Sequence, residues 1–186
     1  GRYSRMPDYR LSTDQAIFSA GARCCWSETP VTTELIALDR RNRLKEVTDQ
    51  RQYNPDLEVE LPNGGWMDQY EYPNLSNQMP LADNTYAQAV QACKELGKHL
   101  CTNTEWLDVC SNQTTTRWPY GNVYRERTCN DHGWVDTETH GNATASGTFS
   151  ECRTKNEVYD MSGNLWEWVD ANGSGQLRGG GWQLSA

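Results

Sequence analysis

The seven cysteines constrain this chain more than any other feature, because in 186 residues they can form disulfides, bind a metal or remain as buried thiols. They are Cys24, Cys25, Cys93, Cys101, Cys110, Cys129 and Cys152. The sequence contains no C-x-x-C pair, and none of its three histidines stands at zinc-finger spacing from a cysteine pair. The spacing therefore predicts disulfides formed in an oxidising compartment, and the odd count leaves one cysteine free or paired between chains.

The composition predicts an irregular domain that is rich in loops. Only 36% of the residues are hydrophobic, with two Phe against eight Trp and nine Tyr. Trp and Tyr pack as large rings but keep a polar atom that needs a hydrogen-bond partner. Together with 15 Gly, this composition favours one α+β domain with much coil over a helical bundle.

Charge and hydropathy argue against two kinds of partner. The net charge of −8 disfavours nucleic acid, because phosphate binding begins with a basic surface. The nearest basic run, residues 40–45, has acidic neighbours and is typical of a solvated helix face. No stretch approaches the roughly 18 apolar residues of a transmembrane helix, so no membrane span is expected.

Two capping boxes, each a Thr followed three residues later by Gln or Glu, predict two short helices. One box begins at Thr85 and precedes apolar residues at helical spacing as far as Leu96. The other begins at Thr102 and precedes a shorter apolar face that ends at Cys110. A third amphipathic stretch predicts a helix over residues 33–46.

Beyond Trp118 the chain has short aromatic runs broken by Gly, Asn and Asp, a pattern typical of loops and brief strands. Trp166 to Val169 predicts one strand. Leu177 and Trp182 predict another, around three successive glycines.

Five ordered segments resemble motifs of the formylglycine-generating-enzyme family. They read MDQYEYPN at 67–74, TYAQAVQACKELGKHLCTNTEWLDVC at 85–110, WPYGN at 118–122, YDMSGNLWEW at 159–168 and LRGGGW at 177–182. The resemblance implies one domain over residues 1–186 with an irregular C-type-lectin-like fold. In that fold two short helices pack on short antiparallel strands, with much coil and disulfide ties. Residues 66–186 match the family body, and 31–60 are a candidate extension.

The order of these motifs is unusual. The closing motif of the family, G-F-R-C, resembles Gly21 to Cys24 near the start of this chain, so residues 1–25 match the family C-terminus. The resemblance implies a circular permutation, which predicts that Gly1 and Ala186 lie close together. The alternative is that residues 1–25 complete a neighbouring copy, in a tandem array or by strand exchange.

The same resemblance implies that Cys24 pairs with Cys93, with a buried free thiol as the alternative. A second bond is expected between Cys129 and Cys152, which flank one polar loop. The others then compete for one bond, and the sequence leaves the choice open. They are Cys25, Cys101 and Cys110.

The resemblance disfavours the oxidase activity of the family. Its catalytic members bind copper(I) through two cysteines just after R-G-G-S-W, a task that suits soft thiolates. Leu184 stands where the first of these cysteines is expected, and the joined continuation offers Ser4 but no sulfur. No copper is therefore expected, and a formylglycine-generating-type oxidase is the disfavoured alternative.

Calcium is the cofactor that the resemblance implies, because the family holds a structural calcium at the D-M-x-G-N-x-W-E-W motif. Side chains of Asp160, Asn164 and Glu167 and a carbonyl of Gly163 or Leu165 would be the ligands. A second site would involve Asn130, Asp131 and Asp136. The alternatives are a hydrogen-bonded turn before a strand for the first site and a solvated loop for the second.

These features predict a non-catalytic binding or assembly domain, secreted or at the cell surface. The chain also resembles variable proteins that display ligand-binding residues in the loop after R-G-G-S-W. The corresponding residues here are Tyr3, Tyr9, Arg10, Trp182 and Gln183. The expected partner is a protein, a glycan or another copy of the chain. The alternative is a structural subunit of an extracellular fibre, joined by exchange of the terminal segment.

Overall fold

The computed structural model describes residues 20–27, 57–61, 64–131 and 142–182, which contain seven strands and two helices. In chain order these elements are β1 (Ala20–Ala22), β2 (Cys24–Ser27), β3 (Glu58–Glu60), β4 (Gly65–Asp68), α1 (Tyr86–Glu95), β5 (His99–Leu100), α2 (Asn103–Cys110), β6 (Trp166–Asp170) and β7 (Gly175–Arg178). The predicted helix over 33–46 lies outside the described residues, as do both chain ends. Among the described residues, no helix is long and apolar enough to cross a membrane.

Both helices begin at the predicted capping boxes. The Thr85 hydroxyl accepts a hydrogen bond from the Gln88 amide at 3.2 Å, and the Thr102 hydroxyl accepts one from the Glu105 amide at 3.2 Å. In return, each Thr amide donates to the side chain of its partner at 2.8 Å. These local bonds satisfy amides that the helix ladder leaves open, which is why each helix starts at its threonine.

The strands form a three-stranded sheet in the order β1-β6-β7 and a four-stranded sheet in the order β3-β4-β2-β5. Short antiparallel strands were expected, and every pairing but one is antiparallel. The exception is β1, which runs parallel to β6 with Ala20 opposite Trp166. Because most of the chain separates these two strands, no hairpin constrains their relative direction.

Residues 20–25 are buried and link the two sheets, since β1 belongs to one sheet and β2 to the other. Gly21 is tightly packed, because a Cβ there would lie 3.0 Å from Leu165 Cδ1 and 3.3 Å from the Leu81 carbonyl oxygen. The G-A-R-C segment thus packs on β6 of its own chain. This is the position implied by its resemblance to the closing motif of the family.

Two adjacent cysteines of β2 tie the sheets to the helical region. Successive side chains of a strand point to opposite faces. Cys24 accordingly bonds Cys93 of α1, and Cys25 bonds Cys101, which precedes α2. The two bonds lie in different hydrophobic clusters, so β2 joins both parts of the core.

The strand predicted over Trp166 to Val169 is β6, and the strand predicted at Leu177 is β7. β7 ends at Arg178 and does not continue to Trp182. Gly179 and Gly180 follow it with φ of 87° and 73°. This left-handed conformation is accessible to glycine and interrupts an extended strand.

Candidate functional site

Residues 160–167, the strongest candidate site in the sequence, form a buried polar cluster around Asn164. Asn164 is 0% exposed and has a positive φ of 57°. Its Oδ1 accepts hydrogen bonds from the Thr144 amide at 2.8 Å, the Thr144 hydroxyl at 3.2 Å and the Asn130 side-chain amide at 3.0 Å. Its Nδ2 donates to Glu71 Oε2 at 2.8 Å and to the Thr144 carbonyl at 3.2 Å. The Asn164 amide therefore has protein partners on both of its polar atoms.

Glu71 completes the cluster and is 1% exposed. Its Oε1 accepts a hydrogen bond from the Leu165 amide at 3.2 Å, and its Oε2 also accepts one from the Ser146 hydroxyl at 2.8 Å. Glu71 was not among the predicted site residues. The signal available was its place in the MDQYEYPN motif, where it is flanked by two tyrosines.

An ion pair between Arg23 and Glu167 joins β6 to the residue between β1 and β2. Arg23 Nε and Nη2 donate to Glu167 Oε1 at 3.0 and 2.7 Å, and both side chains are 0% exposed. The indole N–H of Trp106 donates to Glu167 Oε2. Arg23 also donates to the carbonyls of Asp68 and Tyr159 at 2.9 and 2.8 Å. The sequence carries a signal for this pair, because Arg23 and Glu167 are each the single charged residue of an apolar run, GARCC and WEWV.

Three buried carboxyl groups, Glu71, Asp160 and Glu167, lie near this one guanidinium, and the pKa values of Glu71 and Asp160 are raised. Burial raises the pKa of Asp160 to about 7; the Gly147 amide and Arg23 counteract the rise, and the charge of Glu167 adds to it. Burial, followed by the charges of Asp160 and Glu167, raises the pKa of Glu71 well above its ordinary value. Burial lowers the pKa of Arg23, but the carboxylates around it, led by Glu167, leave it raised. The cluster therefore retains protons near neutral pH.

In this arrangement the side-chain oxygens predicted to bind calcium already accept hydrogen bonds. Asn164 Oδ1 accepts three hydrogen bonds, and both oxygens of Glu167 face Arg23 or Trp106. Asp160 Oδ2 accepts a hydrogen bond from the Gly147 amide at 2.6 Å. In the part of the chain that the structure describes, no group of three or more His, Cys, Asp or Glu side chains could hold a metal ion. Calcium would have to replace existing hydrogen bonds.

The second predicted calcium site overlaps the first. Asn130 is 3% exposed, and its side-chain amide contacts Asn164, so it belongs to the same cluster. Asp131 is partly buried beside it. Asp136 lies outside the described residues.

The glycine run after β7 packs closely on residues 160–167. The Gly163 amide donates to the Gly179 carbonyl at 2.9 Å, and the Trp182 amide donates to the Asn164 carbonyl at 2.9 Å. A Cβ at Gly163 would lie 2.4 Å from the Asn130 carbonyl oxygen, so this contact requires glycine. Of the predicted ligand-binding residues, only Trp182 is described, and it is partly buried. Tyr3, Tyr9, Arg10 and Gln183 lie outside the described residues.

All seven cysteines of the chain lie in the described residues, and six of them form disulfides. Besides the two bonds of β2, Cys129 pairs with Cys152, as expected from the polar loop between them. Cys110 is the remaining thiol, and its Sγ donates to the Met161 carbonyl at 3.7 Å. Burial, followed by the charge of Glu167, raises the pKa of this thiol to about 12, so it stays protonated.

These features define a disulfide-tied α+β domain in which the GNLWEW and RGGGW segments pack on each other. Residues 28–185 match the family model of the sulfatase-modifying factor enzyme 1-like domain, and the chain therefore belongs to this family. The match begins after β2, although β1 and β2 complete the core of the matched residues. No curated protein matches the chain.

Proposed function

We propose that this chain is a non-catalytic binding domain that works outside the cell or at the cell surface. One observation carries the proposal, namely the distribution of its cysteines. The copper chemistry implied by the family resemblance requires two thiolates after R-G-G-S-W, and Leu184 stands where the first of them is expected. Its one cysteine outside a disulfide is Cys110, which is partly buried and protonated.

The three disulfides support the location. Such bonds persist in oxidising compartments and are rare in the reducing cytosol. A rigid disulfide frame with long loops also suits binding, because loops can vary while the frame keeps its shape. The fibre alternative, in which the terminal segment of residues 1–25 is exchanged between copies, stays a prediction.

Copper(I) titration and a peptide oxidation assay test the proposal. The protein is titrated against a chromophoric copper(I) chelator, then incubated with copper, oxygen, a reductant and a cysteine-containing peptide. We expect no stoichiometric copper binding and no aldehyde on the peptide by mass spectrometry, for both the wild type and Cys110→Ala. Aldehyde formation by the wild type that copper removal abolishes would contradict the proposal.

Calcium binding at residues 160–167 stays a prediction of the family resemblance. The surplus of buried carboxyl groups supports it, and the hydrogen bonds on Asn164 and Glu167 count against it. The melting temperature measured with excess calcium and with a chelator decides the question, because a ligand that binds only the folded state raises it. An unchanged melting temperature would contradict calcium binding.

A further inference from the structure

A cleft outside residues 160–182 has the features of a ligand site. We name it the Tyr120 cleft, an open cavity of about 410 Å³ between the turn that follows α2 and the loop at residues 151–157. The side chains used below are Thr116, Tyr120, Arg125, Glu151, Arg153 and Lys155, all of which line it. Its volume lies within the usual range for small-molecule sites, about 300–1,000 Å³.

The aromatic wall of the cleft is held in place by its own turn. The Trp118 amide donates to the Gly121 carbonyl at 3.0 Å, and the Gly121 amide donates back to the Trp118 carbonyl at 3.1 Å. The rings of Trp118 and Tyr120 are nearly parallel, at 8°, with centroids 6.2 Å apart. The Arg125 guanidinium lies 4.8 Å from the centroid of the Tyr120 ring. The cleft is therefore largely preformed.

The opposite wall carries charge on an anchored loop. The disulfide of Cys152 fixes the start of this loop, and Arg153 donates to Glu157 at 3.2 Å and to the Tyr159 hydroxyl at 3.4 Å. Lys155 is exposed, and within the described ranges it has no hydrogen bond or ion pair. Lys155 is thus available to an anion.

Hydrogen-bonding and charged side chains complete the lining of the cleft. The Thr116 hydroxyl oxygen is buried and has no hydrogen-bond partner in the described part of the chain, and Glu151 is an exposed carboxylate. The cations Arg125, Arg153 and Lys155 outnumber Glu151 and Glu157 here, although the whole chain has a net charge of −8. This local reversal of charge favours an anionic ligand.

We propose that the Tyr120 cleft binds a carboxylate-bearing sugar, such as a uronic acid unit of an extracellular glycan. This inference rests on the proposed function, because it names the class of ligand that the binding domain would take. Tyr120, with the Arg125 guanidinium over its ring, forms the wall against which the sugar packs, and Lys155 pairs with the carboxylate. Glu151 supplies an acceptor that sugar hydroxyls require.

Two glycosides that differ only at C6 test the proposal. Methyl glucuronide and methyl glucoside are titrated into labelled protein, and binding is followed through the indole N–H of Trp118 by NMR. We expect the glucuronide to bind at least about tenfold more tightly, which is the effect of one added charge pair of about 1.4 kcal/mol. Lys155→Gln should remove this preference, and Tyr120→Leu should weaken both sugars. Lys94→Gln, on an exposed lysine of α1 outside the cleft, should change neither affinity.

Several results would overturn the proposal. They are equal affinity for the two glycosides, equal effects of Lys155→Gln and Lys94→Gln, displacement of the glucuronide by equimolar acetate, and no saturable binding of either sugar. Melting temperatures of the variants verify that each is folded. This assay involves neither copper nor an aldehyde product. A negative sugar-binding result would therefore not contradict the proposed non-catalytic function. Oxidase activity, in turn, would not contradict a positive sugar-binding result.

Discussion

The raised pKa of Asp160 makes a quantitative prediction about stability and pH. Its carboxyl group is 2% exposed, and its pKa rises from an ordinary value of 3.8 to about 7 on folding. Between these values the folded state holds a proton that the unfolded state has lost. Stability must therefore fall as pH rises through this window, by about 1.4 kcal/mol per pH unit for this one group.

Asp160→Asn removes this proton and keeps an oxygen that can accept from the Gly147 amide. At pH 4 the two proteins should have similar stability, because the folded wild type is already protonated at this site. The variant should then gain on the wild type by about 1.4 kcal/mol between pH 5 and pH 6. Glu71, whose pKa is also raised, leaves some pH dependence in both proteins.

Urea unfolding followed by tryptophan fluorescence, with disulfides intact and a chelator present, measures the difference at each pH. Asp170→Asn is the control, because the Asp170 carboxylate also accepts a glycine amide at 2.6 Å but lies nearer the surface. Parallel pH profiles for the wild type and Asp160→Asn would refute the reasoning. The same gain in both variants would refute it too, because it would then follow from the loss of any carboxylate.

Two further substitutions test the frame. Thr102→Ala removes the cap of α2 and should lower the unfolding free energy by about 1 kcal/mol. Thr104→Ala, at an exposed position of the same helix, should change it by less than about 0.5 kcal/mol. Equal effects of the two substitutions in urea unfolding would contradict the role of the cap. Arg23→Met leaves Glu167 buried without its cation and should cost about 3–5 kcal/mol. Adding Glu167→Gln should recover part of that loss, and full additivity of the two changes would contradict the pairing.

Local signals in the sequence predicted local structure well. The boxes at Thr85 and Thr102 were sufficient to place both helices, because each cap bonds residues only three positions away. The bond between Cys129 and Cys152 was likewise expected from the one loop that joins them. The Cys24–Cys93 bond was implied by the family resemblance, and spacing alone gave no basis for it.

Contacts between distant segments were not predictable in the same way. Asn164 was predicted to bind calcium, and no sequence signal indicated that Glu71, Thr144 and Asn130, from three separate loops, would contact it. The parallel pairing of β1 with β6 also depends on how the whole chain wraps. No periodicity or spacing in the sequence encodes such arrangements, because they are decided by packing.

The Tyr120 cleft illustrates the same limit at a candidate site. WPYGN was recognised as a family motif, but the charged wall of the cleft lies about 30 residues further along the chain, as the span from Tyr120 to Arg153 shows. The number of residues between the two segments does not determine the distance between them in the folded chain. The Cys129–Cys152 bond brings the two segments together.

The central claim is that the chain closes its cysteines into a rigid frame and leaves no thiol pair for copper. Alkylation of the denatured, non-reduced protein followed by peptide mass spectrometry tests it most directly. We predict a single alkylated residue, Cys110, and three linked peptide pairs, Cys24–Cys93, Cys25–Cys101 and Cys129–Cys152. A second alkylated cysteine, or any disulfide that contains Cys110, would contradict the account.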